Sequence, residues 1–230
     1  MKFHTFCTDN IPSSLIDQHS ECCKKLNIEI EYHYVSYENN FLRIYEQHGE
    51  FMTLLMKYSS EDVVCFLDLD CIPHNKDLLQ KSYEWVKENK SFCGNAQNVS
   101  HTKMRNRVYA GASTLMIHKE CWEYLGSPSM SCVFENGLTQ IDTAQILTLR
   151  ADQCGFPYRL FYPIGYDGPQ EYELSGYGKY GRGTLYPATY HFFALTECLD
   201  NIPDLWTKRV KNILNDQKII PNYYSSFYGL

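Results

Sequence analysis

Short apolar runs alternate with amphipathic stretches along the first part of the chain. Lys2 to Thr8 alternates loosely and runs into Asp9-Asn10-Ile11-Pro12, which predicts a strand, a loop and a helix over about residues 13 to 26. Ile28 to Tyr37 alternates apolar and polar positions as a second strand does, and Leu42 to about Tyr58 carries apolar residues at helical spacing. The fully apolar run Val63-Val64-Cys65-Phe66-Leu67 predicts a buried third strand, so the order β-α-β-α-β implies a mostly parallel, doubly wound sheet. Further on, the pattern predicts a helix over 75 to 89, a strand from Ser91 to Ala96, and a strand from Arg107 to Ile117 interrupted by Gly111. A helix from Lys119 to Leu125, a helix from Thr143 to Asp152 with Asp142 as its N-cap, and strands at Tyr158 to Tyr162 and Thr189 to Phe193 follow. Gly165 to Gly183, rich in glycine, reads as a mobile loop.

Composition narrows the class. A chain of 230 residues with 44% hydrophobic content fits one α/β domain. Lys and Arg number 21 against 27 Asp and Glu, and a net charge of −6 leaves no basic footprint for nucleic acid. No stretch reaches the roughly 20 apolar residues that a transmembrane segment needs, and Met1-Lys2-Phe3-His4 lacks the apolar core of a secretory leader. The expectation is a cytoplasmic protein, bacterial or viral rather than Golgi-resident, whose ten scattered cysteines are free thiols.

The third strand runs straight into Asp68-Leu69-Asp70 before Cys71-Ile72-Pro73. Period-2 geometry points Asp68 and Asp70 the same way, and Pro73 stops the strand just beyond them. Two carboxylates so placed suit one hard divalent cation, at the sheet end where open α/β proteins bind ligands.

With Asp68-Leu69-Asp70 come three further features in order, and together they resemble GT-A fold glycosyltransferases, which use an Asp-x-Asp motif to bind nucleotide sugars. Tyr109-Ala110-Gly111-Ala112-Ser113 is similar to that family's small-residue loop beside the donor sugar. Asp142 is similar to its acid at a helix start, and His191 in Tyr190-His191-Phe192-Phe193 resembles the C-terminal histidine that completes the metal site. The resemblance covers most of the chain up to about Glu197 and implies a single GT-A-type domain, residues 1–100 being mainly its nucleotide-binding half, 101–200 mainly its acceptor and metal-completing half, and 201–230 a C-terminal extension. It also implies Mn2+ or Mg2+, and transfer of a sugar from a UDP-sugar, or a GDP-sugar, to a hydroxyl of a glycan or other acceptor.

The implied metal ligands are Asp70 and His191 first, with Asp68 either a third ligand or a ribose contact. Gly111, Ala112 and Leu69 then lie along the donor, and Lys179 and Arg182 add positive charge if the glycine-rich loop closes. Phe6, Thr8 and Asn10 sit in a segment resembling the family's opening one; Phe6 or Tyr37 stacks on a base or packs in the core. Asp142 leads as acceptor base and Glu135 follows, because Ile141 occupies the place where many members carry a second acid. The lysine-bearing stretch that some retaining members have after the histidine is absent, which leaves inversion and retention both open. A haloacid-dehalogenase-like phosphatase with Asp68 as nucleophile, and an inactive carbohydrate-binding protein on the same fold, are the alternatives.

Overall fold

A computed structural model describes residues 1–36, 41–98, 107–135, 138–168, 170–176, 178–193, 195 and 203–224. Strand β1 (Lys2–Thr8) leads through α1 (Ser13–Lys25) to β2 (Glu29–Val35), and α2 (Phe41–Tyr58) leads to β3 (Val63–Leu67). β1 pairs in parallel with both β2 and β3. Every residue of β3 is buried because the strand is covered on both faces. Val64 and Phe66 pack with Met52 and Met56 of α2, whereas Val63, Cys65 and Leu67 pack on the opposite side.

After β3 comes the short β4 (Cys71–Pro73), followed by α3 (Lys76–Asn89), β5 (Phe92–Gln97) and β6 (Tyr109–His118). Asn75 caps α3, its side chain accepting from the Leu78 N–H at 3.1 Å, and Leu79 and Val86 of this helix close the β3 core. Next are α4 (Lys119–Tyr124), the hairpin β7 (Val133–Glu135) and β8 (Leu138–Ile141), α5 (Gln145–Cys154) and β9 (Arg159–Phe161). The principal sheet runs β2-β1-β3-β6-β5-β9. It is mixed: β6 is antiparallel to both neighbours, while β5 and β9 are parallel.

The segment expected to be a mobile loop is instead β-structure, comprising β10 (Gly165–Tyr166), β11 (Gln170–Glu173) and β12 (Lys179–Leu185). With β13 (Thr189–Phe192) and, beyond α6 (Asp204–Leu214), β14 (Tyr223–Tyr224), these strands build a second, antiparallel sheet ordered β14-β10-β12-β13-β4, with β11 on β12. Helix α6 buries Trp206, Val210 and Ile213 beside α1 and anchors to this sheet through Arg209. The Arg209 guanidinium donates to both oxygens of the buried Asp167 carboxylate, at 2.8 and 2.5 Å.

One expectation holds in part: β6 runs on through Gly111, but its pairing with β5 slips there, since Gly94 pairs with Leu115 and Asn95 with Gly111, leaving Ala112, Ser113 and Thr114 as a bulge of β6 just after the glycine. Two further expectations are corrected. Helix α5 starts at Gln145, after Ala144 in a left-handed conformation (φ 62°), so Asp142 is not its N-cap. Finally, β3 stops at Leu67, and Pro73 closes β4 in the other sheet. The described cysteines are free thiols, all buried except Cys154. Among the described residues no helix is long and apolar enough to cross a membrane.

Candidate functional site

Asp68-Leu69-Asp70 forms the turn by which the chain leaves one sheet for the other. The Asp68 N–H donates to the Ser113 carbonyl of β6 at 3.1 Å, and the Cys71 N–H returns to the Asp68 carbonyl at 3.0 Å. Leu69 is buried in the core with Leu15, Ile72 and Tyr190, which anchors the turn between the two acids. The turn, rather than a shared strand face, therefore orients the carboxylates.

β4 then pairs antiparallel with β13, setting His191 opposite Cys71, while the Phe192 N–H donates to the Asp70 carbonyl at 2.8 Å. This register delivers His191 Nε2 to 3.4 Å from Asp70 Oδ1, with only 3% and 15% of the two side chains exposed. That separation is long for a hydrogen bond. Bonds of about 2.1 Å at 90–110° place two ligand atoms of one cation about 3.0–3.4 Å apart, so the pair fits a divalent ion with mixed N/O ligation. His191 Nδ1 is buried and has no hydrogen-bond partner among the described residues.

Asp68 faces a different residue: His48 Nε2 of α2 lies 3.4 Å from its Oδ1. Burial pushes the Asp68 carboxyl above its usual range; the Asp70 charge adds to this, and His48 opposes it. Among the described residues, Asp68, Asp70 and His191 do not bring one ligand atom each within 4.8 Å of one another. Asp70 and His191 fit a cation as they stand, and Asp68 joins them only by turning away from His48.

His48 has no motif around it. Its one sequence signal is position, since His48, Met52 and Met56 follow at i, i+4 and i+8 along the face of α2 that meets the sheet. Its ring stacks on Phe6 at 5.0 Å and 16°, and Phe51 meets Phe6 at 5.6 Å. Phe6 thus supports His48 and the core. The Thr8 hydroxyl donates to Asn10 Oδ1 at 2.6 Å, a bond that closes the end of β1. Tyr37 lies outside the described residues.

Asp142 is held rather than free. Its carboxylate accepts from the Tyr109 hydroxyl at 2.6 Å, the Thr143 N–H at 2.8 Å and the Cys132 thiol at 3.4 Å, while its own N–H donates to Gln145 Oε1 at 2.9 Å. Its negative charge reaches Asp68 and raises that carboxyl further. Glu135 ends β7, and its side chain falls outside the described part of the molecule.

Tyr109 to Ser113 is buried strand, not a loop. A Cβ on Gly111 would lie 1.6 Å from Gln97 Oε1, so the glycine admits the Gln97 side chain. Ala112 packs in the core under α2. Beside them, Asn95 Nδ2 lies within hydrogen-bond reach of Ser113 Oγ, Thr114 Oγ1 and Thr189 Oγ1, tying β5 and β6 to the strand that carries His191. Lys179 and Arg182 are exposed on β12; Lys179 stands 3.9 Å from Glu173, and Arg182 pairs in register with Phe192, next to His191.

No family profile and no curated protein matches the chain in sequence. Solved structures do match it in shape. The galactosyltransferase LgtC, solved with donor and acceptor sugar analogues, aligns over 96% of this chain and 98% of its own at 10% identity and a TM-score of 0.52. An active-site mutant of LgtC aligns over the same shares at 9% identity and a TM-score of 0.50. The glycosyltransferase GlyE of Streptococcus pneumoniae covers 69% of this chain and 44% of its own at 13% identity, with a TM-score of 0.40. At such identities the likeness concerns architecture alone, and the two LgtC alignments give this chain a GT-A-like α/β fold.

Proposed function

We propose that this chain is a metal-dependent glycosyltransferase that moves a sugar from a nucleoside-diphosphate sugar, a UDP-sugar ahead of a GDP-sugar, to a hydroxyl of a glycan or similar acceptor. The observation that carries the reading is the buried Asp70–His191 pair, brought to one point by the turn between the sheets and by β13, which pairs with β4 just beyond that turn.

Asp70 and His191 would hold Mn2+ or Mg2+ there, with Asp68 available as a third oxygen ligand. When bound, the ion supplies Lewis-acid neutralisation of the charge that grows on a departing diphosphate, worth several kcal/mol. In the alternative role Asp68, already beside His48, accepts a hydrogen bond from a ribose hydroxyl. Phe6, stacked on His48, and the Thr8–Asn10 bond shape the adjoining end of β1, the buried Leu69 anchors the turn, and Gly111 and Ala112 precede Ser113, whose carbonyl accepts from the Asp68 N–H. Arg182 and Lys179 contribute positive charge toward an anionic donor from exposed positions.

Asp142 is our first choice for taking the acceptor proton, in a mechanism that needs a base. Tyr109 and Thr143 fix its orientation, and a positioned carboxylate contributes about 10²- to 10⁴-fold. Glu135 is the second choice.

A panel of UDP- and GDP-sugars, incubated with the protein and manganese, should show release of nucleoside diphosphate from one donor above the rest, and chelation should abolish it. Hydrolysis of phosphomonoesters with no nucleotide-sugar turnover would replace this reading with the phosphatase.

A further inference from the structure

A second group of ligand-type side chains lies away from the turn, against the edge strand β2. Register pairs His4 of β1 with Glu31 and Phe6 with His33 of β2, so His4, Glu31 and His33 share the sheet face that α2 covers. One nitrogen of each histidine and one Glu31 oxygen all lie within 4.8 Å of one another; among the described residues this is the one set of three that does so. His4 Nδ1 is 3.0 Å from His33 Nε2, and Glu31 oxygens stand 3.7 Å from the first and 3.8 Å from the second.

We propose that His4 Nδ1, His33 Nε2 and a Glu31 carboxylate oxygen bind a first-row divalent transition ion of the zinc type. Near-tetrahedral bonds of about 2.0–2.1 Å put ligand atoms about 3.3 Å apart, so the two nitrogens separate by about 0.3 Å, and a turn of the exposed Glu31 carboxylate brings one of its oxygens, now within 4.8 Å of both, into bonding range. Two imidazoles and one carboxylate favour a borderline ion over magnesium or calcium, which take oxygen ligands.

The outer partners are also in place. Glu61 Oε2 lies 3.0 Å from His4 Nε2, so that nitrogen carries the proton it donates, and the Nδ1 lone pair is turned inward. This is the carboxylate–histidine arrangement that orients metal-bound imidazoles. His4 is buried at 3% exposure, whereas His33 and Glu31 are exposed at 26% and 47%, which gives an ion a path from the sheet edge. Lys2, 2.5 Å from Glu31 and 3.5 Å from Glu61, holds both carboxylates when no ion is present and is exposed enough to swing aside. Bound metal would clamp the edge strand to β1.

Zinc chloride titrated into chelator-stripped protein carrying Asp70→Ala, which removes a ligand of the turn site, tests this directly. One equivalent should bind and raise Tm. His33→Ala and Glu31→Gln should each weaken binding by more than about tenfold, and Glu61→Gln should do so by about 10- to 100-fold. In protein with an intact turn the same substitutions should remove one equivalent. No zinc binding to the Asp70→Ala protein, or an isotherm that His33→Ala and Glu31→Gln both leave unchanged, overturns the proposal.

Discussion

His19 of α1 reaches across to β4, with its Nε2 3.2 Å from the backbone carbonyl of Cys71, the residue immediately after Asp70. Its Nδ1 is 2.8 Å from the Tyr32 hydroxyl. A carbonyl can only accept, so Nε2 carries the proton and Nδ1 accepts from Tyr32. One neutral imidazole, fully buried, thereby pins the start of the strand that pairs with His191.

The same burial makes His19 a pH sensor for folding. Desolvation pushes its pKa down from 6.5 to about 4, with its bond to the Cys71 carbonyl opposing that only in part. Between those values the unfolded chain binds a proton that the native state refuses, so stability falls as pH drops through the window and levels off below it. A shift of this size corresponds to about 3 kcal/mol. Urea unfolding from pH 7 to pH 4 should show that much less loss in His19→Gln than in the unmodified protein. Parallel profiles would mean that His19 does not carry the effect.

Gly111 gives a second prediction, because Gln97 occupies the space its Cβ would need. Gly111→Ala should destabilise by about 1–3 kcal/mol through overpacking. In a Gln97→Ala background the cost should shrink, and a double-mutant cycle on unfolding free energies measures the coupling. Equal costs in both backgrounds, with donor affinity lost instead, would show that the glycine faces substrate.

Legibility in the sequence follows how locally each element is determined. Val63 to Leu67 is continuous and apolar because both its faces are covered, and α1, α2 and α3 show their buried stripes at helical period. The second sheet is different: Gly165–Tyr166, Gln170–Glu173 and Lys179–Leu185 are short, polar or glycine-bearing, and long-range pairing makes them strands. Helix α6 hides its stripe because Arg209 sits among Trp206, Val210 and Ile213, and the buried arginine makes sense only with Asp167, 42 residues away, and the Ile220 carbonyl in place to accept from it. At the site, the acids of the turn, Asp142 and His191 could be picked out as residues. The turn that separates Asp68 from Asp70, and the pairing of Asp68 with His48, depend on contacts between distant segments.

The central claim is that Asp70 and His191 act together on one cation that serves nucleotide binding. Calorimetric titration of UDP and GDP, with and without manganese, into the unmodified protein and into Asp70→Ala and His191→Ala measures this most directly. The account predicts that one nucleotide binds in a manganese-dependent way and that each substitution weakens this by at least the 10- to 100-fold typical of losing even an outer-shell partner. Circular dichroism on the same samples should show both variants folded. Manganese-dependent affinity left intact in folded His191→Ala protein would contradict the account and make His191 a core residue.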